Sequence, residues 1–256
     1  MKTKNKNIIF EIALASIFLS LGIMMNYLSS FVKFPIAPFL SFHFLLIVSF
    51  VCLYTLGYKW SITILLLYFL IVPLIWSQND LAISYLGNLI VLLSNFFFIG
   101  IYILFYHLFI KFFKSKFNSN NLNLENLTKS EIAELNLKRL HKNEFYSFFS
   151  AAIISIIIST FLLSTLNTFL FNVLYFKLFR TLDTFTLSEL VSKYDVSFKA
   201  FFLGMNNYYG GSYTLYIIFN LINYSINLVP IAILFSLEVK IKLFSRVRKQ
   251  KEKNRY

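Results

Sequence analysis

Apolar residues along this chain fall into long unbroken runs, not into the alternating or three-to-four spacing of half-buried elements. A bilayer-crossing helix needs roughly 20 such residues. The first run, Ile8 to Leu28, follows Lys2, Lys4 and Lys6 and carries Glu11 near its start. It is too long for a signal-peptide core and no A-x-A cleavage site follows, so it reads as a span. Phe31 to Leu40 (FVKFPIAPFL) holds two prolines and breaks the helical pattern. Phe42 to Leu56 is a shorter second span ending at the Gly57-Tyr58-Lys59 turn, and Trp60 to Trp76 a third, with Pro73 near one end and aromatic anchors at both. After the polar turn Ser77-Gln78-Asn79-Asp80 come a long fourth span, Tyr85 to Phe113, a long fifth, Phe145 to Phe176, and a sixth, Thr214 to Leu237. The fourth must tilt or project from the membrane. The expected fold is an all-α polytopic membrane protein of six transmembrane helices, forming a single domain over residues 1–256.

Composition narrows the class further. Hydrophobic residues make up 58% of the chain and aromatic residues 20%, while charged residues reach only 14%, against about a quarter in a soluble domain. Soluble, disordered and fibrous classes are excluded. The net charge of +13 would point to nucleic acid in a soluble protein. Here the basic residues sit at the ends of apolar runs, so they report topology and no nucleic-acid partner is expected. The N-terminus, the Lys59 turn, the 111–144 connector and the tail from Lys240 are basic, whereas the alternate loops are poor in charge or balanced. The positive-inside rule then predicts both termini in the cytoplasm, an even span count and a multi-pass protein of the cell membrane. A cytoplasmic insertion at about 116–144 and a basic cytoplasmic tail at about 240–256 complete the plan. Cys52, the single cysteine, has no partner for a disulfide.

Two connectors are more than turns. Thr128-Lys129-Ser130-Glu131 is a capping box that predicts a short helix with Ile132, Leu135 and Leu140 on its apolar side, resting on the membrane surface or docking a partner. The outer connector, about 178–211, is long and ends in Gly210-Gly211; it reads as a lid or as a packed loop.

No phosphate-binding G-x-x-x-x-G-K-[ST] and no H-E-x-x-H occurs, and His43, His107 and His141 lie in different segments without ligand spacing. Each histidine reads as structural, and no metal, cofactor or enzymatic activity is expected. Glu11 and Glu238 fall near the cytoplasmic interface, so no carboxylate marks an ion path at mid-membrane. The spans do carry amides: Asn88 and Asn95 on the fourth, Asn167 and Asn172 on the fifth, Asn220, Asn223 and Asn227 on the sixth. An amide avoids lipid because leaving it unpaired costs a few kcal/mol, about 2–7 by transfer scales. Such groups bond neighbouring helices or bind a neutral, ring-bearing ligand, and the spacing suits both.

At these residues the chain resembles a family, the S components of energy-coupling-factor (ECF) vitamin transporters. The pieces are Ala13-Leu14-Ala15-Ser16-Ile17-Phe18-Leu19-Ser20 in the first helix, Pro38-Phe39-Leu40-Ser41-Phe42 entering the second, and Tyr85-Leu86-Gly87-Asn88-Leu89 opening the fourth. Thr165 to Phe176 (TLNTFLFNVLYF) is similar to the L-N-T-x-x-x-x-P-L-Y stretch of the riboflavin-type branch, with Val173 in place of the proline. Phe219-Asn220-Leu221-Ile222-Asn223 is similar to F-N-x-x-K in the last helix, with Asn223 in place of the lysine. The residue bias, rich in Lys, Asn, Ile and Phe, resembles a mollicute branch.

The resemblance implies a subunit that captures a vitamin from outside, riboflavin or a similar heterocycle. It implies docking on a transmembrane coupling subunit, with two ATPase subunits supplying the hydrolysis this chain lacks. Carried over by position, the substrate-binding residues are Asn88, Asn167, Tyr175, Asn220 and Asn223, and the coupling-subunit docking strip is Ala13, Ser16 and Ser20. The pocket is expected between the outer halves of the fourth, fifth and sixth helices, roofed by the 178–211 and 31–40 loops. Tyr208, Tyr209 and Tyr213 are expected to stack on the ligand, and Asn227 to serve folding. The competing reading is a membrane scaffold or assembly protein in which the amides only join helices.

Overall fold

A backbone with no water to bond must pair with itself, so unbroken apolar runs fold as helices. The computed structural model describes residues 2–76, 80–118 and 129–241, with side chains for 8–76, 80–115, 135 and 137–239. Its long helices are α1 (Lys2–Phe31), α3 (Tyr58–Trp76), α4 (Leu81–Asn118), α5 (Lys129–Leu166) and α8 (Tyr208–Ile241). Among the described residues these five are long and apolar enough to cross a membrane. They present large apolar side chains outward along their lengths, among them Leu74, Leu104, Phe161 and Val229. The fold is all-α, of the multi-pass membrane type.

Contacts give the helix directions. Trp60 Nε1 donates to Glu11 Oε2 at 2.7 Å, and the Tyr27 and Trp76 rings meet 5.7 Å apart at the other end, so α1 and α3 run the same way. α4 and α5 are antiparallel, with Tyr102 packed on Phe148 and Asn143 donating to the Ile110 carbonyl. α5 and α8 are antiparallel as well: Phe148 stacks on Phe235 at 4.1 Å, and Asn220 donates to Ser164 higher up.

The second predicted span departs most from expectation. Its helix, α2 (Leu45–Thr55), has 11 residues, or ~16 Å at 1.5 Å per residue, about half the hydrocarbon thickness. The stretch before it is a hairpin of β1 (Lys33–Phe34) and β2 (Ala37–Ser41). The prolines that break the helix are Pro35 in the turn and Pro38 in β2. α2 begins level with Asn223 of α8, which accepts from His43 N–H at 3.0 Å, and ends level with Phe235, against which Tyr54 packs. The helix break at 31–40 is found as expected, filled by the hairpin, and the span after it is shorter still than the expected Phe42 to Leu56.

Two further expectations are corrected. The short surface helix predicted at the capping box does not stand alone, because Lys129 to Leu166 is one continuous helix and Leu135 and Leu140 belong to its first turns. Thr128 lies outside the described residues. α4 and α5 each have 38 residues, or ~57 Å, so much of the 116–144 insertion is the paired ends of two helices. Gly210-Gly211 does not end the outer connector either; both sit in the first turns of α8. A Cβ on Gly211 would lie 2.7 Å from the Phe202 carbonyl oxygen, so only glycine lets α8 start this close to its neighbour.

At the hairpin end the chain builds a cap. α5 continues through one π turn (Asn167–Phe171) into α6 (Asn172–Leu178), followed by α7 (Leu187–Ser192), a second π turn (Tyr194–Phe198) and a 3₁₀ turn (Lys199–Phe202). Phe34, Phe42, Tyr194, Phe198, Phe202, Tyr208 and Phe219 form its buried core, joining hairpin, cap and α8. The turn into α8 has Leu203 at φ 61° and Gly204 at φ 66°. A left-handed residue with a Cβ costs roughly 1–2 kcal/mol. At the opposite end a separate core packs Phe50, Phe98, Tyr102, Phe148 and Phe235.

Candidate functional site

The polar groups of the interior concentrate where α5, its π turn and α6 face α8. Tyr208, Ser212, Tyr216, Asn220 and Tyr224 recur every four residues of α8, on one face of the helix. Opposite them stand Ser155, Ser159, Ser164, Thr168 and Asn172, whose spacing widens once before the π turn. The π turn (Asn172 N–H bonding the Asn167 carbonyl) adds the residue that keeps Thr168 and Asn172 turned inward.

Asn172 is the hub of this seam. Its Nδ2 donates to Tyr208 Oη and Ser212 Oγ, each at 3.1 Å, and its Oδ1 accepts from Tyr216 at 2.5 Å. Tyr208 also donates to the Thr168 carbonyl at 2.5 Å, and Thr168 and Ser212 share a 2.8 Å hydroxyl bond. Lower down, Tyr224 donates to the Ser94 carbonyl at 3.0 Å. Sequence reasoning placed Asn172 inside the membrane but missed Ser212 and Tyr216, although the four-residue repeat on α8 marks both.

The predicted substrate residues separate into three groups. Asn167 and Asn220 come to the seam: both are buried, and Asn220 Nδ2 donates to Ser164 at 3.3 Å, one turn before Asn167. Asn167's side-chain amide makes no hydrogen bond among the described residues. Asn88 and Tyr175 lie between α4 and α6. Asn88 bonds the Ser84 carbonyl on its own helix, and Tyr175 Oη sits beside Gly87, 3.1 Å from where a Cβ would be. The bare glycine of the Tyr85-Leu86-Gly87-Asn88-Leu89 stretch thus makes room for that hydroxyl.

Asn223 faces away from the seam, toward α2. It accepts from His43 N–H while Asn227 donates to the His43 carbonyl at 2.8 Å, so two amides of α8 satisfy both backbone groups of one residue. That pairing is what backbone entering a membrane-depth half-helix requires. His43 is a residue of the helix start, as its position indicated.

The tyrosines expected to stack on a ligand are also divided. Tyr208 is corrected: it is 2% exposed, wedged against Tyr194 and Phe202, with its hydroxyl engaged on Thr168 and Asn172. Tyr213 bonds Thr165 Oγ1 at 3.1 Å, and Tyr209 is exposed beside Phe169. Ala13, Ser16 and Ser20 all lie on the exposed face of α1, and both serine hydroxyls bond carbonyls of their own helix. That face therefore offers small side chains with no polar group pointing outward.

The cap is held by a charged clamp that the sequence did not announce. Glu189 accepts from the backbone N–H groups of Asp183 (2.8 Å) and Thr184 (2.7 Å), from the Thr184 hydroxyl, and from Lys193 Nζ at 2.7 Å. Lys193 also reaches Asp183 at 2.7 Å. The Lys193 ammonium, then the Thr184 hydroxyl and the two N–H groups, hold the Glu189 carboxyl well below the usual carboxylate range. Asp183 and Glu189 in turn raise Lys193 above its ordinary value. Among the described residues no group of His, Cys, Asp and Glu could hold a metal ion.

No family model matches the chain, and no solved structure matches it. A protein of Mycoplasma pneumoniae described as an uncharacterized MG350.1 homolog is 25% identical over 227 residues, which cover 87% of this chain and 84% of the relative.

Proposed function

We propose that this protein is the substrate-capturing S component of an ECF-type importer, taking a vitamin such as riboflavin or a similar heterocycle from outside. In this reading the chain crosses the membrane six times, α2 and its hairpin counting as one crossing, with both termini in the cytoplasm and the cap outside. The observation that carries it is Asn167. The residue is 5% exposed, its side-chain amide makes no hydrogen bond among the described residues, and it stands on a π turn beneath the cap. An amide with donors and an acceptor left over inside the protein has them available for a ligand. Asn220 shares the seam, Tyr175 offers a hydroxyl nearby in sequence, and the aromatic surroundings suit a flat ring. Asn88 is the fourth contact, and Asn223 contributes by holding the half-helix in place. The exposed small-residue face of α1 suits close approach of a helix from a coupling subunit, whose two ATPase partners hydrolyse ATP.

A second reading, a membrane scaffold without ligand, is favoured by the amides already bonded within the protein: Asn95, Asn172, Asn223 and Asn227. Gentle purification separates the two. An S component brings down a coupling subunit and two ATPases, and mass spectrometry of the isolated chain finds a retained heterocycle. Absence of both, with no heat on titrating riboflavin or lumazine in calorimetry, removes the importer reading.

A further inference from the structure

The cap carries an apolar surface that its own core does not use. Val196 is 92% exposed, Phe201 46% and Leu203 38%. Phe39 of the hairpin, 52% exposed, meets Phe201 at 5.8 Å, so hairpin and cap share one apolar edge. Leu203 adds a separate argument. It occupies a left-handed position at φ 61° on the surface, where glycine or asparagine would form the turn at less cost. The leucine there places a large apolar side chain, 38% exposed, close to Phe201 in sequence.

We propose that this edge rests in the lipid–water boundary of the leaflet at the cap end, so that Val196, Phe201 and Leu203 anchor the cap in the bilayer surface. Continuity supports lipid as the occupant. The turn through Leu203 leads directly into α8, whose Tyr209 packs on Phe169 at 5.8 Å where α8 and the π turn present their outward apolar faces. Aromatic side chains at that level are characteristic of a membrane interface. The neighbouring charges suit shallow immersion, because Lys199 pairs with Asp195 at 3.5 Å and Lys193 with Asp183 and Glu189. The anchoring holds for either functional reading, since it depends only on the cap lying at the membrane surface.

Spin labels test it on the full chain in phosphatidylcholine–phosphatidylglycerol vesicles. In a Cys52→Ala background, labels are placed singly by Val196→Cys, Phe201→Cys and Leu203→Cys, with Phe161→Cys as the lipid-facing reference. Collisions with dissolved oxygen should exceed those with a water-soluble nickel chelate at all three cap sites, with a smaller excess than at Phe161→Cys. Chelate collisions dominating at Val196→Cys and Leu203→Cys overturn the proposal. So does an immobilised spectrum reached by neither reagent, which would place a protein partner or second copy on this edge.

Discussion

α5 and α8 meet twice, and the two meetings are built differently. Far from the cap, Phe148 and Phe235 stack face to face at 4.1 Å, with Phe50 and Tyr102 closing around them. Near the cap the continuation of α5 is joined to α8 by Asn172 and Thr168, bonded to Tyr208, Ser212 and Tyr216. Lipid tails compete with apolar side chains on equal terms, so helix association in a membrane relies on close packing and on interhelical hydrogen bonds. The aromatic end uses the first and the cap end the second. Stacked rings have nothing to offer a polar ligand. Amides and hydroxyls do, and a seam that leaves Asn167 unbonded retains capacity to bind.

The sharpest break of the contrast comes from the aromatic end. Phe148→Ala removes a fully buried ring and should destabilise the protein by about 3–5 kcal/mol, read as a large fall in the thermal midpoint in mild detergent; on the importer reading, ligand affinity of the surviving fold stays unchanged. Asn172→Leu should cost less, about 1–3 kcal/mol, because it leaves Tyr208, Ser212 and Tyr216 without their common partner. The loss should localise to the cap end in hydrogen exchange; equal exchange at both ends would show that the seam is not an independent unit.

Asn167→Ala should barely move the thermal midpoint, since no described residue bonds its amide. On the importer reading it should weaken binding of the retained heterocycle roughly tenfold, equivalent to about 1.4 kcal/mol, and Asn220→Ala should do both to a moderate degree. A large stability loss at Asn167 with unchanged calorimetric affinity would turn the seam into helix glue throughout.

The charged clamp gives a smaller, pH-dependent effect. Glu189 is held low, so its contribution is fully present above the ordinary glutamate value of about 4.3 and is lost only as pH falls through the lowered value in the folded protein. The cap should therefore resist proteolysis between residues 183 and 193 down through pH 4, and Glu189→Gln should abolish that resistance at neutral pH. The smallest effect on stability is expected from Ser16→Leu with Ser20→Leu, both on the exposed face of α1. The midpoint should hold, and on the importer reading uptake should fall; unchanged uptake would remove the proposed docking role.

How far the site could be read from sequence differs residue by residue. The burial of Asn167 and Asn220 was legible, because an amide inside an apolar run must turn inward. Asn223 looked equivalent to Asn220, three residues away on the same helix, yet the half-helix draws it to His43. Nothing local to Asn223 reveals that, since the partner lies 180 residues away in sequence. Tyr208 looked free at a loop end; only the start of α8 one residue before Tyr209, made possible by bare Gly211 against Phe202, buries it.

The sequence by itself determined the class of solvent, the long helices, the proline-broken stretch after the first of them and the inward turn of the amides. Each follows from local chemistry: an unpaired backbone or amide cannot face lipid. Tertiary structure decided the rest, namely that the second apolar segment is a half-helix clipped by Asn223 and Asn227, that a π turn keeps Asn172 in register with Tyr208, and that the Asn167 side chain bonds none of the described residues. Those depend on where distant segments meet. A hydrogen bond constrains two groups at once, and the pattern along one helix names only the group on its own side.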